Sequence, residues 1–370
     1  MKPHICYIVP PHILNKLAQH PEHRERATRA LVESARLRGR RDVLAQFASM
    51  LAVPSGTERR TIYDAQGQTN LPGVLVRGEG DAPTADPAVN EAYDFAGDTY
   101  DFYLKAYQRN SIDGQGMRLD SSVHYDQQFD NAFWDGRQMV YGDGDQQVFD
   151  RFTKCLDVIG HELTHGVTAA TAGLNYSGQT GALNESMSDV FGSLVKQMKL
   201  NQTAAQADWL IGQGLLMPSI HGVALRSMKN PGSAYNDPLL GADPQPNHMS
   251  NYVNTNEDNG GVHINSGIPN KAFCLAAIQI GGNAWEKAGR IWYVTLTQRL
   301  QANSDFQDAA NHTYEVAATL FGQGSAEQQA VGEGWSQVGI DVGKPSAGVK
   351  SMAPARTVAA VAGSKKTKVS

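Results

Sequence analysis

Cysteine is scarce in this 370-residue chain, and the three present, Cys6, Cys155 and Cys274, are too scattered for a disulfide framework or a cysteine-based metal knuckle. They fit a reduced compartment. Cys155 and Cys274 fall in apolar-periodic stretches and read as small buried hydrophobes rather than nucleophiles. Long apolar runs are missing too. Nothing approaches the roughly 18–20 apolar residues of a membrane span, so none is expected. The opening "MKPHICYIVPPHILNKL" has only a broken apolar patch before Pro10 and Pro11, and lacks the apolar core and small-residue cleavage site of a secretory leader. The Sec route is therefore not expected, which leaves a cytoplasmic protein or one exported by a non-classical route.

Acidic residues are absent from positions 345–370, where five basic side chains stand without one counter-charge. Residues 1–50 carry nine Lys/Arg against four Asp/Glu, so each end holds +5 and, with a net charge of -5, the stretch between holds -15. A basic head beside an acidic body predicts an intramolecular partner. Nucleic acid is not expected, because the head lacks a recognition motif or stacking aromatics.

The periodicities divide the chain. Residues 1–52 read as a separate head with one or two short helices between Pro21 and about Met50, Pro21 suiting a first helical turn. Residues 53–154 mix strands ("TIYDAQG", "GVLVRGEGD") with a helical stretch around "AVNEAYDFAGDTYDFYLKAY". From 155 to 344 the apolar residues recur every three or four positions, the mark of helices. The remainder, 345–370, is small and basic, with too little apolar surface to bury, and is expected to be a flexible tail.

Within "DVIGHELTHGV" two histidines stand four apart with a glutamate between them. On a helix, His161 and His165 project the same way and can offer two imidazole nitrogens to one ion, with Glu162 leaning over the same point. A third ligand is still required, since catalytic zinc takes three protein donors and keeps one position open. About twenty residues on, "GALNESMSD" places Glu185 on a second helix. Asp189, one turn further, is set to accept the ring N–H of a ligating histidine.

"HELTH" followed by "GALNESMSD", preceded by "NAFWDG" and "YGDGD", and followed by "LRSM" and "DNGGVHINSGI", resembles the thermolysin family of zinc metallopeptidases over residues 61–343. The head with "PPHIL" resembles the protealysin-like branch, whose members carry a short propeptide. The resemblance implies an α+β, two-lobed zincin with a β-rich N-terminal lobe, a mainly helical C-terminal lobe and a zinc cleft between them, preceded by a small helical propeptide. It implies one catalytic Zn2+, Glu162 accepting and passing on the proton of water, Tyr176 and His263 stabilising the oxyanion, and Asp258 orienting His263. It matches Asn131, Ala132 and Arg226 to contacts with the substrate backbone. It matches Phe149, Val158 and Leu225 to the pocket for the residue after the cut. All three are apolar, so cleavage before Leu, Phe, Ile or Val is expected.

The sequence departs from that family's pattern where its members often bind paired calcium ions. Asp157 and Asp208 remain, but Lys196, Leu210 and Gln213 stand where acids are usual, and Val223 replaces another carboxylate. A lysine ammonium repels the ion, so the paired calcium site is expected to be absent, with Lys196 neutralising Asp157 or Asp208. The head is expected to dock electrostatically as a propeptide in cis, to be removed by self-cleavage between Phe47 and Arg60, and to bring Cys6 as a candidate inhibitory contact with zinc. The expected product is a monomeric endopeptidase acting on peptides or proteins. The alternatives are an exopeptidase on the same scaffold and a catalytically silent protein that uses the cleft for binding.

Overall fold

The computed structural model describes residues 6–38 and 56–346, with Cys6 and residues 34–38 described as backbone only. The first lobe is built on a six-stranded sheet. Its strands are β1 (Cys6–Tyr7), β2 (Arg60–Asp64), β3 (Val74–Gly78), β4 (Leu119–Val123), β5 (Ala132–Trp134) and β6 (Met139–Tyr141), in the spatial order β1-β5-β6-β4-β2-β3. β2 and β4, and β4 and β6, pair in parallel; the other pairs are antiparallel. β4, β5 and β6 are buried throughout, as strands covered on both faces are; β5 and β6 are continuous apolar runs, whereas β4 carries Asp120, Ser121 and Ser122 between its apolar ends.

Helix α3 (Pro87–Tyr107) packs on this sheet. Its start is marked by the Asp86 carboxylate, which accepts from Ala88 N–H, and by Pro87 in the first turn. The head supplies two helices, α1 (Pro11–Leu17) and α2 (Arg24–Arg38). In the head, α2 falls within the stretch where helices were expected but begins at Arg24, past Pro21, which lies in a turn; α1 precedes that stretch, and residues 39–50 lie outside the described residues. The docking of the head differs from the electrostatic expectation, because the head also adds β1 to the sheet and buries Tyr7, Ile8, Val9, Ile13, Leu14, Leu17, Ala27 and Ala30. A two-residue strand between prolines has no periodicity of its own, so its pairing is invisible to a pattern argument.

The second lobe is helical: α4 (Leu156–Ala170), α5 (Gly178–Leu200), α6 (Asp258–Asn265), α7 (Gly267–Ile280), α8 (Ala288–Gln298), α9 (Phe306–Phe321) and α10 (Ala326–Ser336). α4 and α5 are buried almost end to end and cross at a pair of glycines. A Cβ on Gly192 would stand 2.4 Å from the Asp157 carbonyl oxygen, and one on Gly160 would stand 3.1 Å from Gly192 Cα. No other residue type lets the two helices come this close. That approach sets the helix bearing His161 and His165 against the helix bearing Glu185. Two short strands, β7 (Leu210–Ile211) and β8 (Arg226–Ser227), pair antiparallel and carry Arg226 to the same place.

Candidate metal centre and cleft

His161 and His165 lie one turn apart on α4 and are buried. His161 Nδ1 stands 2.8 Å from Asp189 Oδ1. His165 Nδ1 stands 2.9 Å from Asn184 Oδ1, whose own orientation is fixed by an N–H donated to Leu174 O. Both Nδ1 atoms therefore carry the proton, and both Nε2 lone pairs point inward, 3.0 Å from each other. Two bare lone pairs at that distance repel unless a cation lies between them. Glu185 completes the triangle, with its carboxylate oxygens 3.5 Å from each Nε2. Ligands held about 2.0–2.2 Å from one tetrahedral ion stand roughly 3.3–3.6 Å apart; the two distances to Glu185 match this and the histidine pair is a few tenths of an ångström closer, so the donor set suits zinc. Among the described residues, the buried Oε2 of Glu185 receives no hydrogen bond, which also fits a metal ligand. These three form the one His/Cys/Asp/Glu group of metal-binding geometry among the described residues.

The surroundings are built from the same few elements. Asp189 receives two N–H bonds from the Arg226 guanidinium, at 2.9 and 2.8 Å, and one from Asn270 at 2.8 Å. Burial alone would raise its pKa, but Arg226 and His161 hold it far below the usual carboxylate range. Glu162 follows His161 on α4, is fully buried, and accepts from Trp134 N–H at 3.1 Å. On the other side, Tyr176 O–H donates to Glu185 Oε1 in a short bond and lies 3.2 Å from His263 Nε2.

His263 sits on α6, whose first turn is broken by left-handed Asn259, Gly260 and Gly261; the two glycines take this conformation without strain. That kink lets the Asp258 carboxylate reach both His263 Nδ1, at 2.6 Å, and His263 N–H, at 2.9 Å. Burial would lower the His263 pKa, but Asp258 and Glu185 outweigh it and push it up to about 9.

The cleft edge is β5 and the residues flanking it. Asn131 and Ala132 face residues 8–9 of the head, and Arg226 reaches the same segment, its Nη1 3.1 Å from Ile8 O. Phe149, Val158 and Leu225 are buried in the same apolar cluster as Ile8. Thus every residue singled out in the sequence for the metal, the proton transfer and the substrate backbone is brought into one place. The exception is Cys6, whose side chain lies outside the described residues; its backbone pairs with Trp134.

Asn184, Ser188 and Asn270 were not anticipated. Ser188 Oγ lies 3.1 Å from His165 Nδ1, and Asn184 directly precedes a ligand, so the one-turn spacing of 184/185 and 188/189 carried the signal.

At the site where calcium was considered, Lys196 Nζ is 3.0 Å from both Asp157 Oδ2 and Asp208 Oδ2 and donates to Leu210 O at 3.1 Å. Burial lowers its pKa, but the two carboxylates outweigh that and keep the ammonium charged. Gln213 contributes a carbonyl, near Cys155 Sγ, and Val223 is exposed.

A zinc triad of two histidines and a glutamate, with a buried carboxylate beside it and a cleft between a sheet lobe and a helical lobe, defines a metalloendopeptidase. The chain belongs to the thermolysin metallopeptidase family. The descriptions "Thermolysin metallopeptidase, catalytic domain" and "Thermolysin metallopeptidase, alpha-helical domain" match residues 51–169 and 172–340. An extracellular metalloprotease of Pectobacterium carotovorum is 53% identical over 341 residues, covering 91% of this chain and 97% of that one. The protease PrtS of a Photorhabdus species is 52% identical over 293 residues, 78% of each chain. The solved precursor of protealysin, from Serratia proteamaculans, superposes with a TM-score of 0.83 at 51% identity, covering 90% of this chain and 99% of that one. The branch with a short propeptide is the right one, and the chain is a zinc neutral protease in precursor form.

The cytoplasmic placement expected from the opening residues needs correction. A relative named an extracellular metalloprotease overturns the cytoplasmic placement. Among the described residues no helix is long and apolar enough to cross a membrane.

Proposed function

We propose that this protease acts outside the cytoplasm as a self-processing monomer that cuts peptide bonds before bulky apolar residues. The supporting observation is the convergence of Glu162, Tyr176, His263 and Arg226 on one triad of zinc donors. In this reading residues 1–52 are the propeptide, 53–154 and 155–344 the two catalytic lobes, and 345–370 a tail.

His161, His165 and Glu185 would hold zinc, which would supply Lewis-acid polarisation of water and of the scissile carbonyl. Glu162 takes the proton of the attacking water and delivers it to the leaving nitrogen. His263, kept protonated by Asp258, and Tyr176 donate to the carbonyl oxygen as it gains charge; removing one such donor costs roughly 3–4 kcal/mol in the transition state. Arg226, Asn131 and Ala132 fix the substrate backbone across the site, which holds the carbonyl carbon where water reaches it. Asp189 fixes the tautomer of His161 and anchors Arg226, so it links metal and substrate positioning. Phe149, Val158 and Leu225 line the pocket that selects the residue after the cut. Lys196 takes the place of a calcium ion by neutralising Asp157 and Asp208.

The test is to follow the full-length chain by mass, with and without a zinc chelator, alongside its cleavage of a blocked peptide containing Gly-Leu, with Glu162→Ala as control. Chelator-sensitive cleavage absent from the variant is expected. A chain that binds zinc yet cuts neither itself nor the peptide would instead be a silent binding protein.

A further inference from the structure

The head does more than cover the cleft. β1 pairs antiparallel with β5, Cys6 opposite Trp134 and Tyr7 opposite Phe133, and the backbone contacts continue past the strand. Ile8 N–H donates to Ala132 O at 3.2 Å, Val9 N–H donates to Asn131 Oδ1 at 2.9 Å, and the Asn131 amide reaches back to Val9 O at 3.4 Å. Arg226 Nη1 donates to Ile8 O at 3.1 Å, and His263 Nε2 stands 3.0 Å from Tyr7 O. The Ile8 side chain is completely buried. An added strand gains affinity through its main chain and specificity through alternate side chains. Here the main-chain register also selects one bond. The carbonyl facing His263 belongs to Tyr7, the first carbonyl held by Arg226 belongs to Ile8, and between them lies one peptide bond followed by a β-branched apolar residue.

We infer that the Tyr7–Ile8 bond is itself a substrate, cut in cis by the latent chain before, and separately from, removal of the whole head. This rests on the endopeptidase reading above. Water oxygen bonds to the Tyr7 carbonyl carbon, the Tyr7 C to Ile8 N bond breaks, and the proton taken by Glu162 passes to the Ile8 nitrogen; the products are a Tyr7 carboxylate and an Ile8 amine. No other reactant is consumed. The cut does not release the head. Ile8 and Val9 keep their contacts with Arg226 and Asn131, and α1 and α2 stay anchored through buried Ile13, Leu14, Leu17, Ala27 and Ala30. Arg26 remains 3.1 Å from Asp145 Oδ2, and Arg29 remains 3.1 Å from Asp126 Oδ2. The nicked chain is thus held as its own product, and activation takes a second cut further along.

The experiment uses the full chain purified in a zinc chelator, then given zinc and sampled over time by intact-mass spectrometry and N-terminal sequencing. A species beginning at Ile8 should precede any lacking the whole head, together with the free heptapeptide 1–7, and its rate should not change on tenfold dilution. The Glu162→Ala chain should keep its first seven residues. Ile8→Ala, confirmed folded by circular dichroism, should slow this cut by at least about tenfold, because the side chain entering the apolar pocket is truncated, while easing loss of the head. If species lacking the head accumulate and the blocked peptide is cleaved, yet neither the heptapeptide nor a chain beginning at Ile8 ever forms, the grip on Tyr7–Ile8 is purely inhibitory and the inference fails alone. If zinc-loaded protein cuts neither itself nor the blocked peptide, the endopeptidase reading fails and takes the inference with it.

Discussion

Lys196→Glu tests whether a fixed ammonium replaces a bound ion. The lysine side chain is 12% exposed, and its partners Asp157 and Asp208 are 2% and 29% exposed. Removing one partner of a buried pair costs about 3–5 kcal/mol, and placing a third carboxylate there adds repulsion. For a chain of this size, 1 kcal/mol is worth roughly 1.3 °C in Tm, so the variant should melt about 4–6 °C lower in zinc-containing, calcium-free buffer. The same change also builds an oxygen site, since Leu210 O lies 3.1 Å from the present Nζ and faces the two aspartates. Calcium prefers such carboxylate and carbonyl sets, completed by water.

Calcium at a hundred times its dissociation constant would return about 2.7 kcal/mol. Scanning calorimetry should therefore find the wild type insensitive to calcium, Lys196→Glu destabilised and rescued by several degrees, and Lys196→Met destabilised without rescue. A rise of several degrees in the wild type on adding calcium would refute the reasoning. So would a Lys196→Glu variant that melts like the wild type without the ion.

Gly192→Ala places a methyl group 2.4 Å from the Asp157 carbonyl, so the crossing of α4 and α5 must open, at about 1–3 kcal/mol; zinc affinity by chelator competition should fall about tenfold, and an unchanged affinity would show that this approach does not set the triad. His12, on α1 with Nε2 2.8 Å from Tyr235 O–H, has its pKa lowered to about 4 by burial, aided by His263 and Arg226 and opposed by Asp258. Because the docked form is neutral and the released form titrates near 6.5, docking is full above 6.5 and weakens as pH falls toward 4, by at most about 3 kcal/mol; hydrogen exchange in α1 of the Glu162→Ala precursor, corrected for intrinsic rates, should report it, and His12→Gln should flatten the profile. Asp130 is pushed up to about 8 by burial and by Asp145. Its contribution is present below the unfolded value near 4 and lost as pH rises through 8, so Asp130→Asn should raise urea stability at pH 8 by a few kcal/mol and leave pH 4 nearly unchanged.

The metal centre was legible because helical spacing is a local rule. Two histidines four apart, and a glutamate and an aspartate four apart, must share faces wherever their helices go. What brings the two helices together was not legible in those residues. It rests on Gly160 and Gly192, whose role depends on a crossing that periodicity does not describe. The partner of His165 was missed for a related reason. Asn184 adjoins Glu185 in sequence, yet the two side chains serve one histidine from opposite ends of its ring.

The charge imbalance of the head predicted that it would meet the acidic body, and the ion pairs of Arg26 and Arg29 lie where that argument requires acids, at Asp145 and Asp126. Those pairs sit on the loops after β4 and β6. The cleft itself is gripped differently, by backbone hydrogen bonds from residues 7–9 and by apolar burial. Charge acts over about ten ångströms and tolerates any register, whereas a strand shifted by one residue turns every side chain to the other face. Electrostatics therefore brings the head to this face of the enzyme, but only the short strand decides which bond lies before His263. A charge reversal at Arg26 and Arg29 should accordingly weaken docking without moving the cut, while a one-residue insertion before Ile8 should move it.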